Sequence, residues 1–444
     1  MSAHPSQGEG GSAGTERALV LHPDILSDRD RRPAAAGLAE AIALARALPG
    51  LTVVGGQVVG LRAVQPGTLF GSGKVEELKR QIETDEIGLV LVDGPVSPVQ
   101  QRNLEKEWNV KLLDRTGLIL EIFADRAATR EGVLQVELAA LSYQRTRLVR
   151  AWTHLERQRG GLGFVGGPGE TQIEADRRAI DEAITRIRRQ LEKVVRTRTL
   201  HRAARARVPF PVVALVGYTN AGKSTLFNRL TGADVLVRDM LFATLDPTMR
   251  GVTLDTGQKV ILSDTVGFVS DLPHQLVAAF RATLEEVLSA DLIVHVRDIS
   301  HAETEAQAED VAKILHELGV PDDTPGIEVW NKIDLVPAEE RQAIETLAAR
   351  RPGVLTLSAT TGEGEGQLVG TITEMLAGAF TDAELSLTFA DGRQRAWLHD
   401  ARVVTGERQT ETGWDIAVRW SERQKEAYAR LTGDDPGQDH ALDR

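Results

Sequence analysis

The chain has 444 residues, of which 42% are hydrophobic and 26% are charged, and this composition is typical of a globular protein with about three domains. It contains no cysteine, which excludes disulfides and thiolate metal sites. No basic segment followed by an apolar one begins the chain, and no apolar run reaches the roughly 18 residues of a membrane span. We therefore expect a cytoplasmic protein, a monomer by default, without a signal peptide or transmembrane segment.

The elements predicted in chain order begin after a polar, glycine-rich stretch, residues 1–16, which we expect to be disordered. Over residues 17–125, short apolar runs alternate with amphipathic segments and predict a small α/β domain. Residues 126–207 carry two long helical patterns separated by a glycine-rich break, which predicts a helical hairpin with a flexible tip.

A second α/β region is predicted over residues 208–378, and its motifs are considered below. A small mixed α/β domain is expected over residues 380–432, and residues 433–444 form an acidic tail that we expect to be disordered. No internal repeat is evident.

The net charge of −12 argues against a general nucleic-acid binder, but the charge is unevenly distributed. Residues 145–207 hold 16 Lys and Arg against 7 Asp and Glu, which makes a basic block in an acidic chain. Contact with RNA explains this block, and a pair of solvated helices explains it equally well, so the residues alone leave both interpretations open.

A phosphate-binding loop is predicted where the apolar strand Val212–Val216 ends, because the next residues have the G-x-x-x-x-G-K-S spacing and precede a helical pattern. Backbone N–H groups and the helix N-terminus of such a loop bind phosphate oxygens. We expect Lys223 to neutralise the β- and γ-phosphates and the Ser224 hydroxyl to bind Mg²⁺. The predicted loop residues are Gly217, Tyr218, Thr219, Asn220, Ala221, Gly222, Lys223 and Ser224.

A second phosphate-side motif, D-x-x-G, lies 40 residues after Ser224 and follows another strand pattern. We expect Asp264 to hold Mg²⁺ through water and the N–H of Gly267 to sense the γ-phosphate. The motif is weak when it stands alone and becomes strong at this distance from a phosphate loop. Its residues are Asp264, Thr265, Val266 and Gly267.

Guanine specificity is predicted from two further segments. Asp334 would accept hydrogen bonds from N1–H and the exocyclic amine of guanine, and adenine would leave this carboxylate, expected to be buried, unpaired. A later segment would offer a backbone N–H to the guanine carbonyl oxygen, and the stem of Lys332 would lie along the base plane. The residues concerned are Asn331, Lys332, Ile333 and Asp334, followed by Ser358, Ala359 and Thr360.

A mobile threonine that completes Mg²⁺ coordination is expected between these motifs. Thr244 and Thr248 both qualify, and Thr244 is preferred because F-x-T-L-x-P resembles the switch segment of Obg-type GTPases. The predicted switch residues are Phe242, Ala243, Thr244, Leu245 and Asp246. The predicted metal ligands are thus Ser224 and Thr244, and the predicted catalytic residues are Lys223, Thr244 and Gly267.

Two residues bear on the rate of GTP hydrolysis. Phe268 stands where Ras-type proteins carry a water-orienting glutamine, so we expect slow intrinsic turnover that a partner accelerates. In the alternative, Phe268 anchors the core and other groups position the water. Asn220 resembles the asparagine of potassium-stimulated GTPases, so activation by K⁺ is a further hypothesis.

Two other glycine-rich segments partly match the motifs of nucleotide sites. Residues 161–166 spell G-x-G-x-x-G but follow a charged helical pattern instead of a strand, so we interpret them as a hinge. Residues 71–74 resemble a phosphate loop, but Thr68 and Val75 depart from the motif, which disfavours a second nucleotide site there.

Several segments, before and within the second α/β region, resemble the HflX family of ribosome-associated GTPases. The resemblance spans about residues 17–378 and rests on LQVELAALSYQRTRL, RGGLGFVGGPGETQIEADRR, FATLDPT, DTVGF and GSGKVEEL. It implies a Ras-like P-loop G domain, preceded by a small α/β domain and a helical hairpin and followed by a small mixed α/β domain. It also implies a GTPase that binds GTP and GDP, contacts the large ribosomal subunit and its RNA, and splits stalled ribosomes in stress.

Two other functions stay open at this point. A GTP-dependent assembly factor would act on immature large subunits, and a signalling switch would act on a protein partner without contacting RNA. Sedimentation with ribosomes distinguishes the three functions.

Overall fold

The computed structural model describes residues 15–27, 32–158, 168–205, 210–233, 241–242, 248–254, 259–270, 286–321, 323–377, 380–401 and 403–432. These residues form two compact units. The first contains the described residues up to 191 with those in 236–246 and 266–283, and the second contains the rest. The predicted tip of the helical hairpin, at 159–167, lies outside the described residues.

The first unit is built on a four-stranded parallel sheet with the strand order β2-β1-β3-β4. β3 is a run of four buried apolar residues, as expected for an inner parallel strand covered on both faces. The strands are β1 (Glu16–Ile25), β2 (Leu51–Leu61), β3 (Leu89–Val92) and β4 (Lys111–Asp114). The helices around them are α1 (Ala34–Ala47), α2 (Ser72–Thr84), α3 (Pro98–Trp108) and α4 (Arg115–Arg126).

Local sequence signals explain where these helices begin and end. Ser97 and Gln100 form a capping box at the start of α3, which has a proline at its first position. Asn109 ends α3 in the left-handed conformation, with φ of 53°. β1 begins at Glu16, one residue inside the stretch expected to be disordered.

The predicted helical hairpin corresponds to two long helices, α5 (Arg130–Gln158) and α6 (Pro168–Arg205). Its base is attached to the sheet through Asp114, the N-cap of α4. The Tyr143 hydroxyl donates to Asp114 Oδ1 at 2.6 Å, and Arg147 donates to Oδ2 at 2.9 Å. Burial, together with the charge of Asp114, raises the pKa of Tyr143, so the hydroxyl keeps the proton that this bond requires.

The second unit contains a six-stranded sheet with the order β10-β9-β8-β5-β7-β6, in which only β6 is antiparallel to its neighbour. This is the predicted Ras-like α/β region. The strands are β5 (Val212–Val216), β6 (Thr248–Thr253), β7 (Lys259–Asp264), β8 (Leu292–Asp298), β9 (Gly326–Asn331) and β10 (Val354–Thr356). The helices are α7 (Lys223–Thr231), α8 (Thr304–Leu318), α9 (Ala338–Ala349) and α10 (Glu365–Ala377).

The C-terminal part of the second unit is the predicted mixed α/β structure. It is a three-stranded antiparallel sheet with the order β11-β13-β12 and two helices. Its elements are β11 (Phe380–Thr388), α11 (Gly392–Asp400), β12 (Val404–Gln409), β13 (Gly413–Ser421) and α12 (Glu422–Thr432).

Candidate active site

The phosphate loop leaves β5 through two positions that tolerate only glycine. Gly217 has φ of 150°, and a Cβ there would lie 2.1 Å from the carbonyl oxygen of Val296. Gly222 has φ of 94°, and a Cβ there would lie 2.2 Å from Nδ2 of Asn331. The loop therefore lies directly against β8 and the end of β9, and a side chain at either glycine would displace it.

Three of the loop residues between these glycines are buried, namely Tyr218, Thr219 and Ala221. The buried hydroxyl of Thr219 has no hydrogen-bond partner among the described residues. Asn220 is exposed and adopts a left-handed conformation with φ of 59°.

Lys223 begins α7, and its ammonium group is buried against the loop. Nζ donates to the carbonyl oxygens of Gly217 at 3.0 Å and Tyr218 at 2.8 Å. Burial lowers the pKa of Lys223 to about 8, and the negative charge of Asp264 opposes this shift. No acidic residue occupies the first turn of α7, so the positive end of its dipole is available to an anion.

The ends of β5 and β7 bring the phosphate loop and the D-x-x-G motif together. The Ser224 hydroxyl donates to Oδ2 of the fully buried Asp264 at 2.7 Å. The Thr265 hydroxyl donates to the carbonyl oxygen of Leu215 at 2.6 Å. Because β5 and β7 are parallel neighbours, their carboxyl ends meet at one edge of the sheet, where ligands of α/β folds bind.

Asn331 joins the phosphate loop to the segment after β10. Its Nδ2 donates to the carbonyl oxygen of Ala221 at 2.8 Å, and the N–H of Ala359 donates to its Oδ1 at 2.9 Å. Asn331 is 1% exposed, and both the nitrogen and the oxygen of its amide are used in holding these two loops together. The structure thereby unites three of the segments that the sequence analysis selected.

The residues that follow Asn331 lie at the surface of the second unit. Lys332 has φ of 63°, and its Nζ lies 2.7 Å from Oδ2 of Asp298. The expectation of a buried carboxylate at Asp334 is wrong: Asp334 is exposed, because the short helical turn Ile333–Leu335 presents it to solvent. Among the described residues, this carboxylate has no donor or ion-pair partner.

Of the predicted switch residues, Phe242 lies among the described residues and belongs to the first unit, as do the residues that directly follow Thr265. Phe242 is buried with φ of 56°, and its ring lies 4.6 Å from that of Phe123 on α4. Phe268 is 1% exposed, as its interpretation as a core anchor requires. Two residues further on, the carbonyl oxygen of Ser270 accepts a hydrogen bond from Arg115 at 2.8 Å. Val266 is also buried.

The remaining switch predictions are untested. Ala243, Thr244, Leu245 and Asp246 lie outside the described residues, and no contact is described for Gly267. Thr248, the alternative to Thr244, is the first residue of β6 and pairs with Asp264 in the register of the sheet.

Residues 71–74, which resemble a phosphate loop in sequence, begin an ordinary surface helix. Gly71 is the N-cap of α2, and Lys74 pairs with Glu77 at 2.7 Å on the exposed side of that helix. Gly161–Gly166 lie outside the described residues.

Two polar residues of the second unit had no role in the sequence analysis. Asp298 ends β8 and holds Lys332, and its place at the carboxyl end of a parallel strand was a usable signal. Arg229 on α7 contacts the loop after β10, and no local pattern pointed to it because its ion-pair partner, Glu365, is 136 residues away.

Four family models match the chain in consecutive order. They are GTP-binding GTPase N-terminal over residues 35–124, GTP-binding GTPase Middle Region over 126–205, 50S ribosome-binding GTPase over 212–335 and HflX C-terminal domain over 343–441. GTPase HflX of Magnetococcus marinus is 52% identical over 419 residues, which cover 94% of this chain and 95% of that protein. The chain belongs to the HflX family of GTPases.

More distant relatives also match most of this HflX family chain. GTPase HflX of Escherichia coli is 42% identical over 90% of the chain and 92% of its own length. Putative GTP-binding protein 6 of Xenopus laevis is 39% identical over 79% of the chain and 67% of its own length. The chain is therefore a GTP hydrolase that converts GTP and water to GDP and phosphate, as predicted. None of the helices within the described ranges is both long and apolar enough to span a membrane.

Proposed function

We propose that this GTPase binds the large ribosomal subunit and splits or otherwise remodels stalled ribosomes, and that GTP hydrolysis resets its nucleotide state. The observation that carries the proposal is the match of residues 212–335 to the 50S ribosome-binding GTPase model. The flanking segments support it, because they match the N-terminal, middle and C-terminal models of the same family.

The described part of α6 supports contact with ribosomal RNA. Ile184 and Ile187 are buried, whereas Arg186, Arg188 and Arg189 on the same helix are exposed. None of these three arginines has a carboxylate partner among the described residues. Unpaired guanidinium groups are suited to phosphate, and they favour the RNA interpretation of the basic block over that of a salt-bridged surface.

The guanine pocket in this proposal combines groups from the segments that Asn331 connects. The exposed carboxylate of Asp334 accepts from N1–H and the amine of guanine. Lys332, held by Asp298, lies along the base. The phosphate loop binds the phosphates with Lys223 and with the hydroxyl of Thr219, which has no partner in the described part of the chain.

The side chains of Ser224 and Asp264 fit Mg²⁺. A hydroxyl and a buried carboxylate 2.7 Å apart are hard oxygen donors of the kind that this ion prefers, and they would hold it here. When bound, the ion neutralises charge on the β- and γ-phosphates. We propose Thr244 as a further ligand that arrives with the γ-phosphate, and the N–H of Gly267 as the group that senses it.

The buried ring of Phe268 has no group that could orient the attacking water, so the proposal assigns that task to an arrangement completed on the ribosome. GTPase activity is measured with and without purified large subunits. We expect slow turnover alone and faster turnover with large subunits, and no stimulation would contradict the ribosomal role while leaving the GTPase intact.

Sedimentation distinguishes the proposal from the two other functions. Incubation of whole ribosomes with the protein and GTP should convert them into subunits. Association with precursors of the large subunit alone would indicate an assembly factor. Absence of any comigration with ribosomes would indicate a switch whose partner is another protein.

K⁺ activation is a separate proposal that rests on Asn220. Its exposed side chain, in a left-handed turn of the phosphate loop, is free to approach a bound ion. The kcat for GTP is compared in matched Na⁺ and K⁺ buffers for the wild type and for Asn220→Ala. Equal kcat values for the wild type in the two buffers would remove this hypothesis.

A further inference from the structure

Arg229 connects the helix of the phosphate loop to the loop that follows β10. Its Nε donates to Glu365 at 2.5 Å, while Nη1 and Nη2 donate to the carbonyl oxygens of Thr360 at 3.3 Å and Thr361 at 3.4 Å. Gly362 makes room for the guanidinium group: it has φ of 89°, and a Cβ there would lie 1.9 Å from Nη2. One side chain of α7 therefore fixes the backbone of a loop far away in sequence.

The N–H groups of this loop are nearly all engaged within the protein. Those of Ser358, Ala359, Thr361 and Gly362 donate to acceptors in the same loop or on Asn331. The N–H of Thr360 has no acceptor among the described residues, and Thr360 is exposed. A free backbone donor thus follows directly after a residue that Asn331 holds next to the phosphate loop.

We propose that Arg229 is a positioning residue for base recognition, which holds Thr360 so that its N–H donates to the carbonyl oxygen of guanine. This inference rests on the guanine pocket proposed above. A hydrogen bond is strong only when its donor is held in line with the acceptor, and the free donor here belongs to an exposed loop. The bonds from Arg229 to the carbonyls of Thr360 and Thr361 restrict that loop.

An ordinary surface ion pair is the competing explanation. The side chains of Arg229 and Glu365 are 34% and 32% exposed, and a pair of that kind contributes little to stability. The two carbonyl contacts distinguish the explanations, because an ion pair alone does not need them. A planar guanidinium can contact a carboxylate and two carbonyl oxygens at once, which a lysine ammonium does not reproduce.

The test measures dissociation constants of the full-length protein for three nucleotides. GDP and inosine diphosphate both carry the base carbonyl oxygen, whereas 2-aminopurine riboside diphosphate lacks it and keeps the exocyclic amine. For Arg229→Ala we expect GDP and inosine diphosphate to bind about tenfold more weakly, the effect of losing one hydrogen bond. The 2-aminopurine nucleotide should weaken by less than about twofold, because the bond in question is already absent from it.

Two further variants serve as controls. Arg229→Lys keeps the positive charge beside Glu365 but loses the planar set of guanidinium donors that contacts the two carbonyl oxygens. Its GDP affinity should therefore lie close to that of Arg229→Ala. Arg341→Ala removes the ion pair with Glu363, in the same loop, without touching a backbone carbonyl, and GDP affinity should stay within about twofold of the wild type.

Equal weakening for all three nucleotides in Arg229→Ala would show that Arg229 only supports the fold of the pocket, and would overturn the proposal. Unchanged affinity for GDP would also overturn it. A wild-type protein that binds GDP and the 2-aminopurine nucleotide equally would contradict the guanine pocket itself, so the two failures are distinguishable.

Discussion

At the scale of single residues, the chemistry of the site depends on charges that the fold holds out of water. Lys223 is the clearest case, because its ammonium is enclosed by two loop carbonyls and its pKa falls to about 8. A buried cation of this kind is costly until an anion approaches it. Binding of nucleotide phosphates supplies that anion, so proton binding at Lys223 and nucleotide binding should be coupled.

This coupling predicts a pH dependence of GDP affinity. The free protein loses the Lys223 proton above about pH 8, whereas the phosphates bind the charged form, so the dissociation constant should rise about fivefold between pH 8 and pH 9. Isothermal titration across pH 7 to 9.5 measures it. Lys223→Arg, which stays charged, controls for ionisation of guanine N1–H in the same range. Identical pH profiles for the two proteins would contradict the prediction.

The exposed carboxylate of Asp334 leads to a second prediction. Asp334→Asn replaces an acceptor of two hydrogen bonds by an amide, so GDP affinity should fall by about a hundredfold or more, since bonds to charged groups are worth about 1.5–3 kcal/mol each. Xanthosine diphosphate, which has a carbonyl oxygen in place of the amine, should bind the variant better than GDP does. Titration of both nucleotides, with ATP alongside, measures the change. An unaltered order of affinities would refute the role of Asp334.

At the scale of elements, the first unit is held at the carboxyl end of its sheet by a buried ionic cluster. Arg115, at the start of α4, pairs with Asp93 at 2.6 Å and with Glu40, while His22 on β1 lies 2.7 Å from Asp93. The cluster therefore connects α1 and α4 to β1 and to the residue that follows β3. Such a cluster depends on having every partner in place, because removing one leaves a buried charge uncompensated.

The pKa of Asp93 makes this dependence measurable. Burial raises it, but the hydrogen bond from His22 and the charge of Arg115 outweigh burial and hold it below its usual value. The stabilisation is thus present above the unfolded-state pKa of about 3.9 and is lost as the pH falls through the lower folded value.

Asp93→Asn should reduce protection of β1 and β3 amides against hydrogen exchange by about 3 kcal/mol at pH 7. The reduction should be smaller at an acidic pH below the lowered pKa of Asp93, where the wild-type carboxyl is also protonated. Mass spectrometry of exchange at both pH values provides the measurement. Asp85→Asn, at a carboxylate outside the cluster, should change neither. A loss of the same size at both pH values would show that shape, and not the charge, of Asp93 matters.

At the scale of the whole molecule, a net charge of −12 has to be reconciled with the proposed binding to RNA. The described arginines of α6 offer a local solution, because three of them are exposed and have no carboxylate partner within the described ranges. Electrostatic attraction to RNA acts over about 10 Å at moderate salt, so a local basic surface can bind while the remainder of the protein stays acidic.

The triple variant Arg186→Gln, Arg188→Gln and Arg189→Gln should weaken binding to large subunits and make it less sensitive to salt. Each lost phosphate contact lowers the slope of log affinity against log salt by about 0.7–0.9. Cosedimentation at several salt concentrations measures the slope. A second triple variant, Arg102→Gln, Arg350→Gln and Arg393→Gln, removes the same charge from other exposed positions. If both variants change the slope equally, α6 is not the RNA contact.

The sequence by itself determined the features that are local along the chain. The phosphate loop could be predicted because a strand, two obligatory glycines and a lysine lie within a dozen consecutive residues. The apolar run of β3 and the capping box of α3 are equally local signals. The order of the motifs along the chain was sufficient to identify a GTPase.

Only the tertiary structure decided which distant groups meet. The order β10-β9-β8-β5-β7-β6 places Asn331 against Ala221, 110 residues away, and Lys332 beside Asp298. It also brings Arg229 to the loop that follows β10 and leaves Asp334 exposed, against expectation. The physical reason is that periodicity and motif spacing report local backbone preferences, whereas burial and charge pairing depend on strand order, which is set by the packing of the whole sheet.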